Sequence, residues 1–192
     1  MQNVAPTVVD RLRGEFSGLI AVLDKAGEVS LRSTADDNFR KALLLAAASY
    51  FEHRMTDAVL SFVSETTNDR ALTTSFVRNK AVSRQYHSWF SWEAKNANGF
   101  FGLFGDGFRD FMRKKIEDDD ALDAAIRAFL ELGSNRNRLV HQDFGSFFLE
   151  KTSEEIYDLY LKAMTFIDAF PRALREFAVA PAASGKRPEG RP

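Results

Sequence analysis

The sequence predicts an all-α protein that folds as an antiparallel helical bundle. Several stretches carry apolar residues at spacings of three and four, which is the period of an amphipathic helix. No stretch alternates apolar and polar residues between hairpin turns, so no strand is predicted. At 192 residues, the chain is long enough for one substantial core and too short for two ordinary domains. We therefore expect a single helical domain.

The composition is typical of a globular protein with a high aromatic content. Hydrophobic residues make up 45% and charged residues 28%, and 18 residues are Phe. The formal net charge of −1 provides no overall basic field, so any contact with RNA must be local. The lack of Cys excludes disulfides and thiolate chemistry and suits a reducing compartment. Without an export signal or a long apolar run, we expect a cytoplasmic protein that has no membrane partner.

The first helix is predicted to end near Gly27, and a longer one to follow it. The apolar stripe of the first helix consists of Val8, Leu12, Phe16, Leu19 and Leu23. Ser33, with Asp36 three residues later, predicts the start of the second helix, because these side chains suit the unpaired N–H groups of a first turn. We expect residues 1–32 to pack on a bundle that is formed by residues 33–179.

The middle of the chain is rich in aromatic residues and harder to assign. Residues 78–92 favour a helix, and residues 96–99 favour a turn. Residues 100–108 hold four Phe among three Gly, and we expect an irregular aromatic loop there. Aromatic residues at this density belong more often to a core or a dimer interface than to a base-stacking surface.

Two further helices are predicted near the end of the chain. The acidic residues 118–120 suit the start of one helix, which we expect to end at Gly133. Thr152 begins a capping-box pattern for the last helix, and Pro171 is expected to kink it or reset the chain. Residues 180–192 are rich in Pro, Gly and charge, and we expect a disordered tail.

The densest polar cluster of the chain, residues 134–143, lies between these two helices. In an unbroken helix Arg136 and His141, five residues apart, would point about 140° away from each other. We expect a break at Gly133 that places Arg136 near a helix start and lets Asn137 orient the His141 imidazole. A guanidinium binds phosphate and an imidazole moves protons near neutral pH, so the pair suits cleavage of RNA, whose own 2′-OH is a nucleophile.

This segment resembles the R-x4-6-H signature of HEPN domains, with Arg136, the polar Asn137 and His141 at the matching positions. The likeness covers roughly residues 36–177, and the aromatic middle is similar to the RiboL-PSP and MAE-type branches. It implies a HEPN-type bundle and a homodimer in which one His141 acts as base and the other as acid. It also implies RNA cleavage that leaves a cyclic phosphate, without metal or cofactor.

The resemblance also implies supporting residues and partners. Arg138 and Glu52 are implied as RNA-contacting or supporting residues. A toxin or antiviral defence effector is implied, with an antitoxin or another defence-system protein as a partner besides RNA. Some HEPN toxins carry a Tyr two residues after the His, where a partner enzyme modifies it. Asp143 stands there in this chain, so that regulation is not expected.

Less specific interpretations apply to each of these residues. His141 is alternatively a structural histidine, and Arg136 a cap of carbonyl groups at a helix end. Glu52 alternatively belongs to a surface charge network. We expect no catalytic role for His53 or His87. The alternative function is a HEPN module that binds RNA, a nucleotide or a protein partner without cleaving.

Overall fold

The computed structural model describes residues 5–68 and 70–180, and within them it contains helices and no strand. This confirms the predicted all-α class. The helices are α1 (Val8–Ala26), α2 (Val29–Thr66), α3 (Ala71–Val77), α4 (Tyr86–Trp89), α5 (Asn98–Gly102), α6 (Asp106–Glu117), α7 (Asp120–His141) and α8 (Ser153–Val179). A single π-helical turn, Arg78–Val82, follows α3 directly.

The core lies where α2, α7 and α8 pack together. Phe51 of α2 stacks on Tyr160 of α8 with 5.5 Å between the ring centroids. Phe129 of α7 meets Phe166 of α8 edge to face at 5.3 Å. These four rings are almost fully buried, and burying such a side chain contributes about 1.5–3 kcal/mol. Aromatic burial therefore joins α7, which carries most of the polar segment, to α2 and α8.

Helix α1 packs against α2 and α8. Phe16 stacks on Phe39 of α2 at 3.5 Å, and the Thr7 hydroxyl lies 2.7 Å from the Tyr160 hydroxyl of α8. The predicted start of α2 at Ser33 was wrong, because the helix begins at Val29. Gly27 takes a φ of 72°, which ends α1, and the chain re-enters a helix within two residues.

The helix predicted over residues 78–92 was wrong. The structure has the Arg78–Val82 turn, a reversal and then α4, which is only four residues long. Arg84 lies in the left-handed region with a φ of 61°, which interrupts any continuous helix. The Trp89 indole N–H donates to the Ala81 carbonyl at 3.0 Å and holds this reversal together.

The aromatic residues 100–108 form α5, a turn and the start of α6 rather than a wholly irregular loop. Phe100, Phe101 and Phe108 are each at most 1% exposed. The interpretation of this cluster as core is therefore confirmed, and the burial of these rings explains why glycine-rich chain becomes helical here.

Helix α7 does not end at Gly133, so that prediction was wrong. It continues through residues 134–141 and ends at His141. Gly133 is buried, and a Cβ at this position would collide with the Trp92 indole ring. The glycine is therefore required by a close approach of two elements, and it does not mark the end of a helix.

Helix α8 continues through Pro171 to Val179, so the predicted kink or reset was also wrong. A proline inside a helix removes one hydrogen bond, but Ala173 and Leu174 beyond it are buried in the core. Their packing offsets the lost bond. The predicted tail lies outside the described residues from residue 181 onward. Among the helices that the structure describes, none is long and apolar enough to cross a membrane.

Candidate functional site

A cleft of about 300 Å³ separates the last turns of α7 from α2 and from the chain around α4. Three of the predicted site residues, Arg136, Asn137 and His141, line it from α7. Glu52 lines it from α2, so the structure brings four predicted residues together. Phe51 and Phe129 contribute apolar surface from the same two helices.

The unbroken helix still lets Arg136 and His141 reach one cleft. At about 100° per residue, Asn137 and Val140 lie between them on the helix surface, and each of the outer two is about 70° from the midline. The cleft lies over this midline, and the side chain of Arg136 is long enough to reach it from about 70° to one side. The expectation that convergence needs a helix break was therefore wrong, because the two groups flank a common face.

Asn137 bonds to the guanidinium rather than to the imidazole. The Arg136 Nη1 group donates to Asn137 Oδ1 at 3.1 Å. Between the two described residues Asn137 and His141 there is no hydrogen bond, so the expected role of Asn137 in orienting the imidazole has no support in this geometry. His141 is exposed at the end of α7, with its ring accessible to a ligand. Asn137 thus fixes the cation, and the imidazole stays available.

Opposite α7, Tyr86 interacts with the charges of both Glu52 and Arg136. Burial raises the pKa of the Tyr86 hydroxyl well above its usual value, the Glu52 charge raises it further, and the Arg136 charge opposes this. Tyr86 is 8% exposed and lines the cleft. It therefore contributes a neutral hydroxyl group to the cleft that also holds this carboxylate and this guanidinium.

The wall opposite α7 was missed at the level of sequence, although Arg84, Tyr86, His87 and Trp92 all line the cleft. No catalytic role was expected for His87, and the structure places this residue on the cleft wall. The Trp92 indole N–H donates to the His87 carbonyl at 3.0 Å, which ties these two residues together. One signal was available in the sequence, because Arg84 and His87 belong to a stretch without acidic residues. His53 lies elsewhere, exposed and 3.2 Å from Asp57.

Arg138 is not brought to the cleft. Its guanidinium lies over the Phe147 ring, 5.8 Å from the centroid, and it lines a separate hollow together with Glu131 and Lys151. Those two side chains form an ion pair at 2.6 Å. The structure therefore places Arg138 on another face of α7 than Arg136.

The loop that follows His141 is anchored to α2 by two cations. Lys41, only 2% exposed, pairs with Asp37 at 2.9 Å and donates to the Phe144 carbonyl at 3.1 Å. Arg40 donates to the Leu149 carbonyl at 2.9 Å. These bonds fix the chain that follows His141. The end of α7 is therefore held by its own helix before His141 and by α2 after it.

The cleft of about 300 Å³ is lined by two guanidinium groups, two imidazoles and one carboxylate. A guanidinium binds a phosphate through a planar fork, and an imidazole or a carboxylate transfers protons. In residues 5–68 and 70–180 there is no group of three or more His, Cys, Asp or Glu side chains that could hold a metal ion. The arrangement therefore suits binding of a phosphodiester and proton transfer at it.

Comparison with known proteins gives one family. The family model described as RiboL-PSP-HEPN matches residues 10–176, which is most of the chain and includes every residue of the cleft. The comparison with curated proteins gives no match. No solved structure matches either.

Proposed function

This chain belongs to the RiboL-PSP-HEPN family, and on that premise we propose that it is a metal-independent endoribonuclease. HEPN domains are often ribonucleases or serve nucleotide-related functions. The observation that carries the proposal is the convergence of Arg136, Asn137 and His141 on one cleft that Glu52 faces from α2.

In the proposed reaction the 2′-oxygen of a ribose attacks the adjacent phosphorus atom. His141 accepts the 2′-OH proton while the bond from phosphorus to the 2′-oxygen forms. The bond from phosphorus to the 5′-oxygen then breaks, and a second acid protonates that oxygen. Arg136 stabilises the charge on the phosphorane, because its fork is held in place by Asn137. The products are a 2′,3′-cyclic phosphate and a 5′-hydroxyl.

We propose that the second acid is His141 of another copy, in a homodimer whose two clefts adjoin. The exposed position of His141 at the end of α7 favours this, since its ring is accessible to another chain. His87 of the same chain is the other imidazole at the cleft. A His87→Ala variant that cleaves at the normal rate supports the acid from the second copy, and a variant that loses activity assigns the role to His87.

Cleavage of purified RNA in the presence of EDTA tests the proposed activity. We expect cyclic-phosphate ends from the wild-type protein, and a rate about 10²–10⁴-fold lower for His141→Ala, the range that general acid–base catalysis supplies. His53→Ala is the matched control, because His53 is an exposed histidine outside the cleft. Its rate should equal that of the wild type.

Two results would contradict the proposal. Cleavage that disappears with EDTA assigns the reaction to a metal-dependent site or to a contaminant. A His141→Ala protein that cleaves normally while remaining folded removes the imidazole from the reaction.

The alternative is a HEPN module that binds RNA or a nucleotide without cutting it. The apolar surface of Phe51, Trp92, Phe129 and Val140 in the cleft favours binding of a base. Saturable binding by a protein that yields no new RNA ends supports this alternative.

For the biological role we propose a cytoplasmic toxin or defence effector that a cognate antitoxin or another defence-system protein controls. Induced expression is expected to arrest growth, and the His141→Ala protein is expected not to. Sequencing of RNA ends from the arrested cells identifies the target. Growth that is unaffected by the active protein contradicts this role.

A further inference from the structure

Residues 70–92, here called the basic segment, concentrate positive charge. They carry Arg70, Arg78, Lys80 and Arg84 and no Asp or Glu. This stands out in a chain whose formal net charge is −1. A local surplus of this kind attracts a polyanion even where the whole protein does not.

The charges of the basic segment are available to a ligand. Arg78, Lys80 and Arg84 are exposed, and none of them forms an ion pair with a carboxylate in the described part of the chain. In α2, by contrast, each Lys and Arg side chain pairs with an acid: Arg32 with Asp24, Arg40 with Asp36 and Asp37, Lys41 with Asp37, and Arg54 with Asp168. The cations beside the cleft are therefore not neutralised from within the protein.

The basic segment leads to the cleft. Arg84 and His87 line the cleft wall opposite Arg136. Arg78 is six residues before Arg84, so the two Cα atoms are at most about 20 Å apart. The Ser83 N–H donates to the Arg78 carbonyl at 2.7 Å, which closes the chain into a turn and shortens that distance. The distance from Arg78 to the cleft therefore corresponds to only a few nucleotides of a single strand.

An exposed aromatic ring accompanies the cations. Phe76 is 67% exposed, and Lys80 follows it by four residues in the continuous helical run of α3 and the π-helical turn, which places the two on about the same face. A ring in water beside unpaired cations is the combination with which proteins hold a single nucleic-acid strand, since bases stack on the ring and phosphates bind the cations. An apolar protein partner would instead require a surface depleted of charge.

We infer that the basic segment binds the RNA strand outside the cleft, an inference that rests on the proposed function. Arg78 and Lys80 bind backbone phosphates, and Phe76 stacks on a base. Arg84 binds the phosphate that neighbours the one held by Arg136. The segment supplies the affinity that the overall charge of the protein does not.

Binding of a fluorescent 2′-O-methyl RNA to the full-length protein at several salt concentrations tests this inference. The methyl groups remove the nucleophile, so binding is measured without cleavage. For the double variant Arg78→Gln with Lys80→Gln, the slope of log K against log salt should fall by about 1.4, which is about 0.7 for each lost phosphate contact. Phe76→Ala should lower the affinity about tenfold and leave the slope unchanged.

The matched control is the double variant Lys25→Gln with Lys162→Gln. Both lysines are exposed, lie on α1 and α8, and have no ion pair within the described residues. This variant removes the same charge and should keep the wild-type slope. Unchanged circular dichroism and melting temperature show that each variant is folded.

Besides an unchanged slope in the double variant of Arg78 and Lys80, three results would overturn the inference. The first is an equal change of slope in both double variants, which makes the effect one of net charge alone. The second is displacement of the RNA by polyglutamate at equal charge, together with a Phe76→Ala protein that binds normally. The third is a wild-type protein that does not bind the RNA.

These results are distinguishable from a failure of the proposed function. Unmodified RNA that stays intact, together with the predicted change of slope, removes the ribonuclease activity and keeps the binding surface. Normal cleavage with an unchanged slope removes the binding surface alone.

Discussion

Replacement of Gly133 by alanine tests whether the close packing of α7 on Trp92 shapes the cleft. A Cβ at Gly133 would collide with the six-membered ring of the indole. The indole is held by neighbours on its other sides, with its centroid 5.0 Å from Phe90 and 5.8 Å from Phe129. Its N–H also donates to the His87 carbonyl. The indole ring can therefore move away from a new Cβ only if these contacts are broken.

Two opposing effects determine the change in the free energy of unfolding. Alanine is favoured over glycine inside a helix by about 1 kcal/mol, whereas overpacking of a filled core costs about 1–3 kcal/mol. Gly18→Ala is the matched control, because Gly18 lies inside α1 and a Cβ there would have no atom within 4 Å. The helix-propensity gain is common to both variants. Gly133→Ala should therefore be less stable than Gly18→Ala by about 1–3 kcal/mol.

Urea unfolding of the two variants measures this difference at an unchanged m-value. Because a displaced Trp92 narrows the cleft, Gly133→Ala should also cleave RNA more slowly than Gly18→Ala. Gly133→Ala and Gly18→Ala proteins of equal stability would refute the reasoning, since the indole would then have room to move.

Three further changes have expected outcomes. Arg136→Lys keeps the charge and loses the planar fork, so RNA cleavage should slow about a hundredfold in a steady-state assay, and an unchanged rate would exclude bidentate phosphate binding. Lys41→Met removes the charged hydrogen bond to the Phe144 carbonyl and should lower the free energy of unfolding by about 1–3 kcal/mol. Hydrogen exchange in the loop between α7 and α8 should become faster. Unaltered exchange there would show that Lys41 does not anchor this loop. Burial acts to raise the pKa of the Asp10 carboxyl, but hydrogen bonds, among them one from the Tyr157 hydroxyl at 2.8 Å, outweigh it and lower that pKa below 3.8. Because the pKa of Asp10 is lower in the folded than in the unfolded state, the ionised carboxyl stabilises the fold. The stability advantage over Asp10→Asn should therefore be full above about pH 5 and vanish as the pH falls below about 3.8. An advantage that does not depend on pH contradicts this.

The fold class and the polar segment could be predicted from the sequence because both depend on local patterns. Helical spacing gave the long helices, and the R-x4-6-H pattern gave Arg136 and His141. Gly133 could not be assigned correctly, since its role depends on Trp92, which lies far earlier in the chain and reaches it only in the folded state. The same limit applies to Pro171, whose cost is offset by core packing that local propensity does not describe.

The wall opposite α7 was the least predictable part of the cleft. The spacing of Tyr86, Trp89 and Phe90 predicted a continuous helix there, but Arg84 takes a backbone conformation that its residue type disfavours and interrupts it. The face of His87 could therefore not be predicted from that helix. Glu52 was named from the family resemblance alone, which implies an acidic residue of an earlier helix near the cleft, and the structure brings it there.

The two walls of the cleft also differ in stiffness. Arg136 and His141 share one helix of 22 residues, in which deforming any turn strains its neighbours. The facing wall consists of a turn, a reversal at Arg84 and the four-residue α4, and such short pieces rearrange locally at lower cost. We therefore expect the entrance to change its width more readily than α7 changes the spacing of Arg136 and His141. An inhibitor that binds residues 83–92 would therefore act on the entrance without contacting Arg136 or His141.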